Sequence, residues 1–307
     1  MFVRMLMSML TFWQAASQEA PKAADKAEKV DIGGTIIHHI TNSNEIELPI
    51  LGYVKLPHFD PIHIGTMTID LSPTKHVVMI WLVALLLLVI FSILARPKLI
   101  PRGLYNAMEA LISFVREEIV RPNFGAKTDR YIHYFLTLFF FILFMNLLGL
   151  IPYGSTATGN IAVTATLAVV TFFVTQYTAI KSQGIGGYLK HLTAGVHWLL
   201  WPIMIPVEVV GLFTKPFALS VRLFANMTAG HVVILSLLGL IFVLKTYFVA
   251  PISILFALFI YVLELFVAFL QAYIFTLLSS LFISMGMHHE HHEEHHDAEH
   301  PVHAGHH

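Results

Sequence analysis

The sequence predicts an all-α integral membrane protein: five transmembrane helices plus one amphipathic surface helix, with the last two helices long and strongly tilted. Three observations predict it. Of 307 residues, 56% are hydrophobic and only 12% charged, where soluble domains average about 45–50% and about 25%. Mean hydropathy is +0.72. The few charged residues are also clustered, which leaves apolar runs of spanning length between them. This composition excludes an ordinary soluble enzyme and disorder of the chain as a whole. Formal charge is −1, so there is no basic surplus for a nucleic-acid partner. The cysteine count is 0, which removes disulfides, thiolate metal sites and cysteine nucleophiles.

Residues 1–17 read as a signal peptide: Arg4, an uncharged stretch to Trp13, then small residues at Ala15-Ala16-Ser17. Residues 18–73 form an extracytoplasmic N-terminal extension. Residues 18–32 are linker-like, rich in Ala, Lys and Glu. Ile36-Ile37, Ile46, Leu48 and Ile50-Leu51, broken by Pro49, Pro57 and Pro61, then suggest a small extended segment. It carries no catalytic constellation.

The membrane domain is expected over 74–287. Residues 76–95 give 20 positions without Asp, Glu, Lys or Arg, about the ~20 needed to cross a hydrocarbon core. Arg96, Lys98 and Arg102 follow and put that end inside. Over 102–121, Leu104, Met108, Leu111, Ile112, Val115 and Ile119 recur at helical spacing, while Arg116, Glu117, Glu118 and Arg121 are polar. That is the amphipathic helix, on the inner surface or against a partner. Between Arg130 and Lys181 lie 50 uncharged residues, two spans joined by a turn around Pro152–Asn160. Lys181 and Lys190 flank Gly184-Ile185-Gly186-Gly187, again basic and inside. The fourth span, within 203–244, holds Glu208, Lys215 and Arg222, with Pro206 and Pro216 as breaks or kinks. Ile252 to Met285 runs 34 residues without Gly or Pro, interrupted by one charge, Glu264. At ~1.5 Å per residue such a helix outruns a ~30 Å core and must tilt or protrude.

Charges at that depth are costly, ~2.5–3.5 kcal/mol for an Arg at mid-bilayer on insertion scales. Arg222, Glu264 and Glu208 therefore read as functional, the other reading being interhelical ion pairs that only fix packing. Glu208, Lys215 and Arg222 are seven apart and share a helix face, which Asn226 continues. Glu264 and Gln271 are likewise seven apart. Antiparallel helices would then give two polar levels, Arg222 with Gln271 and His231 with Glu264. Imidazole beside carboxylate makes a proton relay, since histidine titrates near neutrality.

The run from Lys215 through Ser220-Val221-Arg222-Leu223-Phe224-Ala225-Asn226-Met227 to His231 resembles the signature of the a subunit of F-type ATP synthase. Leu270-Gln271-Ala272-Tyr273-Ile274-Phe275 resembles its second signature, and Met145–Pro152 and Lys181–Gly187 also fit. The resemblance, over about residues 75–287, implies the proton-channel (stator) subunit of the membrane sector of a bacterial enzyme. It implies two offset half-channels that load and unload the carboxylates of a rotor c-ring, against which the last two helices tilt. Arg222 would be the essential arginine that separates them, with Gln271 beside it. Asn226, His231 and Glu264 would form the outer half-channel and Glu208 the inner one. Partners implied are the c-ring, peripheral-stalk b subunits and the rest of the complex, with H+ as the transported ion. The implied location is the inner membrane, with the N-terminus periplasmic and the C-terminus cytoplasmic. His231 and Glu264 stand exchanged relative to some relatives, and an acid found in some at the position of Gly149 is missing. The outer path would then lean on Asn146, Thr164 and Thr166, although a hydroxyl within a span also serves helix packing.

No Gly-x-x-x-x-Gly-Lys loop occurs, so no nucleotide chemistry is expected of this chain alone, and no cofactor. Residues 288–307 form a His/Glu-rich tail, expected to be disordered and cytoplasmic, with ten histidines. His288, His289, His291, His292, His295 and His296 suit weak metal binding, which leaves a metal-ion transporter as the alternative function. His292-Glu293-Glu294-His295-His296 matches the zinc-protease pattern, a coincidence expected in such a tract.

Overall fold

A chain segment inside a bilayer must satisfy its own backbone hydrogen bonds, so charge-free runs of spanning length become helices. The computed structural model describes residues 34, 45–48, 52–57, 62–64, 67–69, 72–94, 103–151, 156–192, 198–244 and 249–287. The expected signal peptide, the linker-like stretch at 18–32 and the histidine-rich tail lie outside these residues.

The extension supplies two small hairpins. Strand β1 (Glu45–Leu48) pairs antiparallel with β2 (Gly52–Lys55), Glu45 opposite Lys55, and β3 (Ile62–Ile64) pairs with β4 (Met67–Ile69). The extended segment expected there is thus partly ordered as strands. Almost everything described after it is helical.

Six main helices follow: α1 (Lys75–Leu94), α2 (Leu104–Phe114), α3 (Thr128–Gly149), α4 (Ile161–Leu192), α5 (Trp201–Leu244) and α6 (Val249–Met285). Five helical stretches are long and apolar enough to cross a membrane, one of them running from Tyr105 to Gly149 through α2 and α3. The chain is a multi-pass membrane protein.

The amphipathic helix differs from expectation in two ways. No loop separates it from the next span: α2 passes through a π-helical turn (Val115–Val120), a short helix (Arg121–Phe124) and a 3-10 turn (Gly125–Lys127) directly into α3. Its apolar stripe also finds its partner within the chain. Met108, Val115 and Ile119 are buried in one cluster with Phe135, Phe139 and Ile142 of α3 and Phe275 and Ile283 of α6. Arg116 and Arg121 stay outside, paired with Asp129 and Glu117.

α3 is the central helix, and its bulky residues Phe135, Phe139, Phe140, Ile142 and Met145 are almost completely buried. α6 packs between α3 and α5, α4 packs on α5, and α1 rests on α3. Hydroxyl pairs cross these seams, Tyr134 Oη donating to Thr171 Oγ1 at 3.1 Å and Thr164 meeting Ser220 at 3.1 Å. Gly184 breaks α4 near its end with φ 72° and ψ 169°, a left-handed conformation that glycine adopts without steric cost.

α5 has 44 residues and α6 has 37, or about 66 Å and 56 Å of helix against a ~30 Å core. Pro206 and Pro216 both lie inside α5, so the breaks expected at the prolines are accommodated within one helix. Helices of about twice the core thickness must tilt within it or protrude beyond it.

Candidate functional site

Arg222 is the middle residue of α5, with 21 helical residues before it and 22 after. Its side chain is exposed. Ala218, Ala225, Asn226 and Ala229 are exposed as well, and their offsets of −4, +3, +4 and +7 put them on Arg222's own face. The result is a strip of short side chains at mid-helix from which one guanidinium projects. On the flank of that strip Leu219 and Leu223 are buried in the main core cluster, and Met227 is buried as well.

One turn beyond Arg222, the exposed strip meets a buried amide. Asn226 Nδ2 donates to Gln271 Oε1 of α6 at 2.9 Å, and Gln271 is only 3% exposed. The partner of Gln271 across the seam is thus Asn226, one turn from Arg222.

Two turns further along α6, Glu264 is 3% exposed, and neither of its carboxylate oxygens has a hydrogen-bond partner. The buried Oγ1 of Thr228 is unpartnered too. Glu264 fits where it does because residue 230 is glycine: a Cβ there would stand 2.6 Å from Glu264 Cδ. The carboxylate thus lies against the residue that precedes His231.

His231 Nε2 hydrogen-bonds the Thr156 hydroxyl. Thr156 in turn occupies the space beside Gly149, where any Cβ would collide with its side chain. Next to it, Thr158 donates to Asn146 Oδ1 at 2.8 Å, and Asn146 Nδ2 donates to the Ala268 carbonyl at 3.3 Å. These contacts bring α3, the 157–159 turn, α5 and α6 together around Glu264.

The other end of α5 holds the remaining charges. Lys215 Nζ lies 5.4 Å from the centre of the Phe282 ring, a cation–π arrangement. Glu208 is half-buried and within electrostatic reach of Tyr188 on α4, whose hydroxyl donates to Gln176 Oε1 at 2.5 Å. Among the described residues no group of three His, Cys, Asp or Glu is placed to hold a metal ion. The tail histidines from His288 to His296 fall outside them.

One arginine presented at mid-helix beside an Asn–Gln pair, two turns from a buried acid, is a specific arrangement. The profile of the family described as ATP synthase A chain matches residues 77–284. The chain belongs to the ATP synthase A chain family. The match falls within the 74–287 expected as the membrane domain. Among similar proteins is ATP synthase subunit a 2 of Chlorobium luteolum, 54% identical over 278 residues, covering 88% of this chain and 80% of that one. ATP synthase subunit a of Chloroherpeton thalassium is 56% identical over 269 residues, covering 86% and 78%. That of an Anaeromyxobacter species is 48% identical over 309 residues, covering 90% and 76%.

In this member of the ATP synthase A chain family, Asn226 and Gln271 bond across the α5–α6 seam one turn from the exposed Arg222, Glu264 lies against Gly230 next to His231, and Asn146 bonds the Ala268 carbonyl one turn beyond Glu264. Glu208 stands apart, 14 positions before Arg222 on α5. Thr164 bonds Ser220 across the α4–α5 seam. Thr166 is exposed and bonds the Ala162 carbonyl of its own helix, so it takes no part in this constellation. Thr156 and Gly230 escaped the sequence reading. Their only signal was indirect: Gly230 beside a polar residue on an otherwise bulky helix, and a missing side chain at Gly149 that something had to replace.

Proposed function

We propose that this chain is the proton-channel subunit of the membrane sector of an F-type ATP synthase, standing still against a rotor c-ring. The reading rests above all on Arg222, an exposed guanidinium at the midpoint of an apolar helix. Facing lipid, it would cost ~2.5–3.5 kcal/mol or more. A second surface that carries carboxylates removes that cost, and the short side chains of Ala218, Ala225 and Ala229 let such a surface approach closely.

The membrane stores ~2.3 kcal/mol per proton per 100 mV. Using it requires two aqueous half-paths that never join. A proton enters from the periplasm past Asn226, His231 and Glu264 and neutralises a rotor carboxylate. The neutral carboxyl can face lipid, so the ring turns. After most of a revolution it reaches the inner path near Glu208 and releases the proton to the cytoplasm. Arg222 keeps the paths apart: a guanidinium stays protonated, so it cannot relay the proton, and it holds the ionised rotor carboxylate at the crossing. Gln271, fixed by Asn226, lines that crossing. Nucleotide chemistry belongs to other subunits, and peripheral-stalk b subunits hold the chain against rotation. In the inner membrane the N-terminus is periplasmic and the C-terminus cytoplasmic.

Replacing Arg222 by Ala is expected to abolish ATP-driven proton pumping in vesicles while the complex still assembles. Coupled pumping retained by Arg222→Ala overturns the reading.

A further inference from the structure

α1 is the barest helix of the membrane part. Trp81, Leu82, Leu85, Leu88 and Ile93 are all exposed. Against that background its first two residues are anomalous, because Lys75 is 7% and His76 only 3% exposed. Two basic side chains withdrawn from solvent on a helix that otherwise buries almost nothing require partners. His76 has one: its ring hydrogen-bonds the backbone carbonyl of Thr156. Lys75 lies near enough to act on the imidazole electrostatically, and α1 packs on the 157–159 turn.

Thr156 is thereby gripped at both ends. Its carbonyl takes His76 and also the Gly159 N–H at 3.0 Å, using both lone pairs. Its hydroxyl meets His231, and its side chain fills the space at Gly149. The residue itself is extended, with φ −67° and ψ 110°, and the one helical bond it makes is the Gly159 N–H on its carbonyl. Its orientation depends on these contacts.

We infer that His76 is a positioning residue of the outer proton path, holding Thr156 so that its hydroxyl stays on His231. A carbonyl carries no exchangeable proton, so through this contact His76 is not a link in a proton wire. It sets the Thr156 peptide plane and hence the direction of the hydroxyl. A hydroxyl can accept one hydrogen bond and donate another, so Thr156 can stay bonded to His231 Nε2 whether or not that nitrogen carries the proton. α1, a helix that touches neither Arg222 nor the rotor face in this reading, thus governs the relay from the far side of the 157–159 turn.

The inference rests on the reading of His231 and Glu264 as the outer path, and the experiment separates the two. ATP synthesis driven by a pH gradient is measured on the whole complex in proteoliposomes, per assembled complex. His76→Leu is expected to lower the rate about five- to tenfold, the effect of one lost hydrogen bond. Thr156→Val, which keeps the shape and removes the hydroxyl, should do the same. His76→Gln, which keeps an N–H donor but cannot titrate, should restore the rate to within about twofold. A rate for His76→Gln as low as for His76→Leu overturns the inference, because the ring itself would then be at work. Unaltered rates for both His76→Leu and Thr156→Val overturn it as well. Glu264→Gln is the control: if it alone leaves the rate unchanged, the outer-path reading fails. If it abolishes synthesis while His76→Leu and Thr156→Val do not lower it, only the inference about His76 fails.

Discussion

Gly230→Ala sets two opposed effects against each other. In a helix interior, replacing Gly by Ala gains about 0.8–1.0 kcal/mol. At 230, however, the new methyl would stand 2.6 Å from Glu264 Cδ and 3.2 Å from Cγ. A relaxed carbon–carbon contact needs ~3.5–4.0 Å, so the carboxyl must retreat by roughly 1 Å. Glu264 is 3% exposed and packed on every side, and forcing such a site costs about 1–3 kcal/mol. Gly211 provides the reference. It lies in the same helix with nothing within 4 Å of its missing Cβ, so Gly211→Ala reports the propensity gain alone. Gly230→Ala should therefore be less stable than Gly211→Ala by about 1–3 kcal/mol. It should also lose most proton-driven ATP synthesis, because the displaced acid is the relay residue of the proposed outer path. The assays are thermal dissociation of the solubilised complex and synthesis per complex in proteoliposomes. Adding Glu264→Asp, one methylene shorter, should recover part of the stability. Equal behaviour of the two alanine variants in both assays would refute the packing argument and weaken the assignment of Glu264.

Exchanging His231 and Glu264 together is expected to keep more proton flux than either single exchange, since the relay needs both chemistries and not their order. A double variant no better than the worse single one defeats the relay. Asn226→Leu removes the donor to Gln271 Oε1 and strands a buried acceptor. It should cost about 1–3 kcal/mol, read as a lower dissociation temperature of the complex. Deleting residues 288–307 should leave coupling near normal in the same vesicles, whereas loss of function would favour the metal-ion transporter.

Spans are legible in a sequence because the bilayer imposes one strong rule, and the charge-free runs at 76–95 and 131–180 obey it. The α5–α6 seam was legible too, since heptad spacing puts Glu264 and Gln271 on one face whatever the tertiary detail. Contacts that depend on the third dimension were not. Nothing in the spacing of Thr156 ties it to His231, 75 residues away. Pro216 reads locally as a break or kink, yet α5 continues through it, as membrane helices tolerate a proline where neighbouring groups re-satisfy the freed backbone. The amphipathic stripe at 104–119 was visible as a pattern, but a pattern does not say what covers it. Here α3 and α6 do.

The widened turn at Val115–Val120 has a mechanical meaning. Arg121 N–H reaches five residues back to Arg116, and the Ile119 carbonyl is seized by Asn123 Nδ2 at 2.8 Å and, from across the bundle, by Ser280 Oγ at 3.0 Å. Asn123 also donates to Ser280 Oγ at 2.6 Å, closing a three-cornered rivet between the segment carrying Arg116, Glu117 and Arg121 and the final helix. Whatever holds that charged segment also holds, through the rivet, the helix bearing Gln271 and Glu264. In the proposed assembly, the drag of the rotor would pass through this point into the stalk.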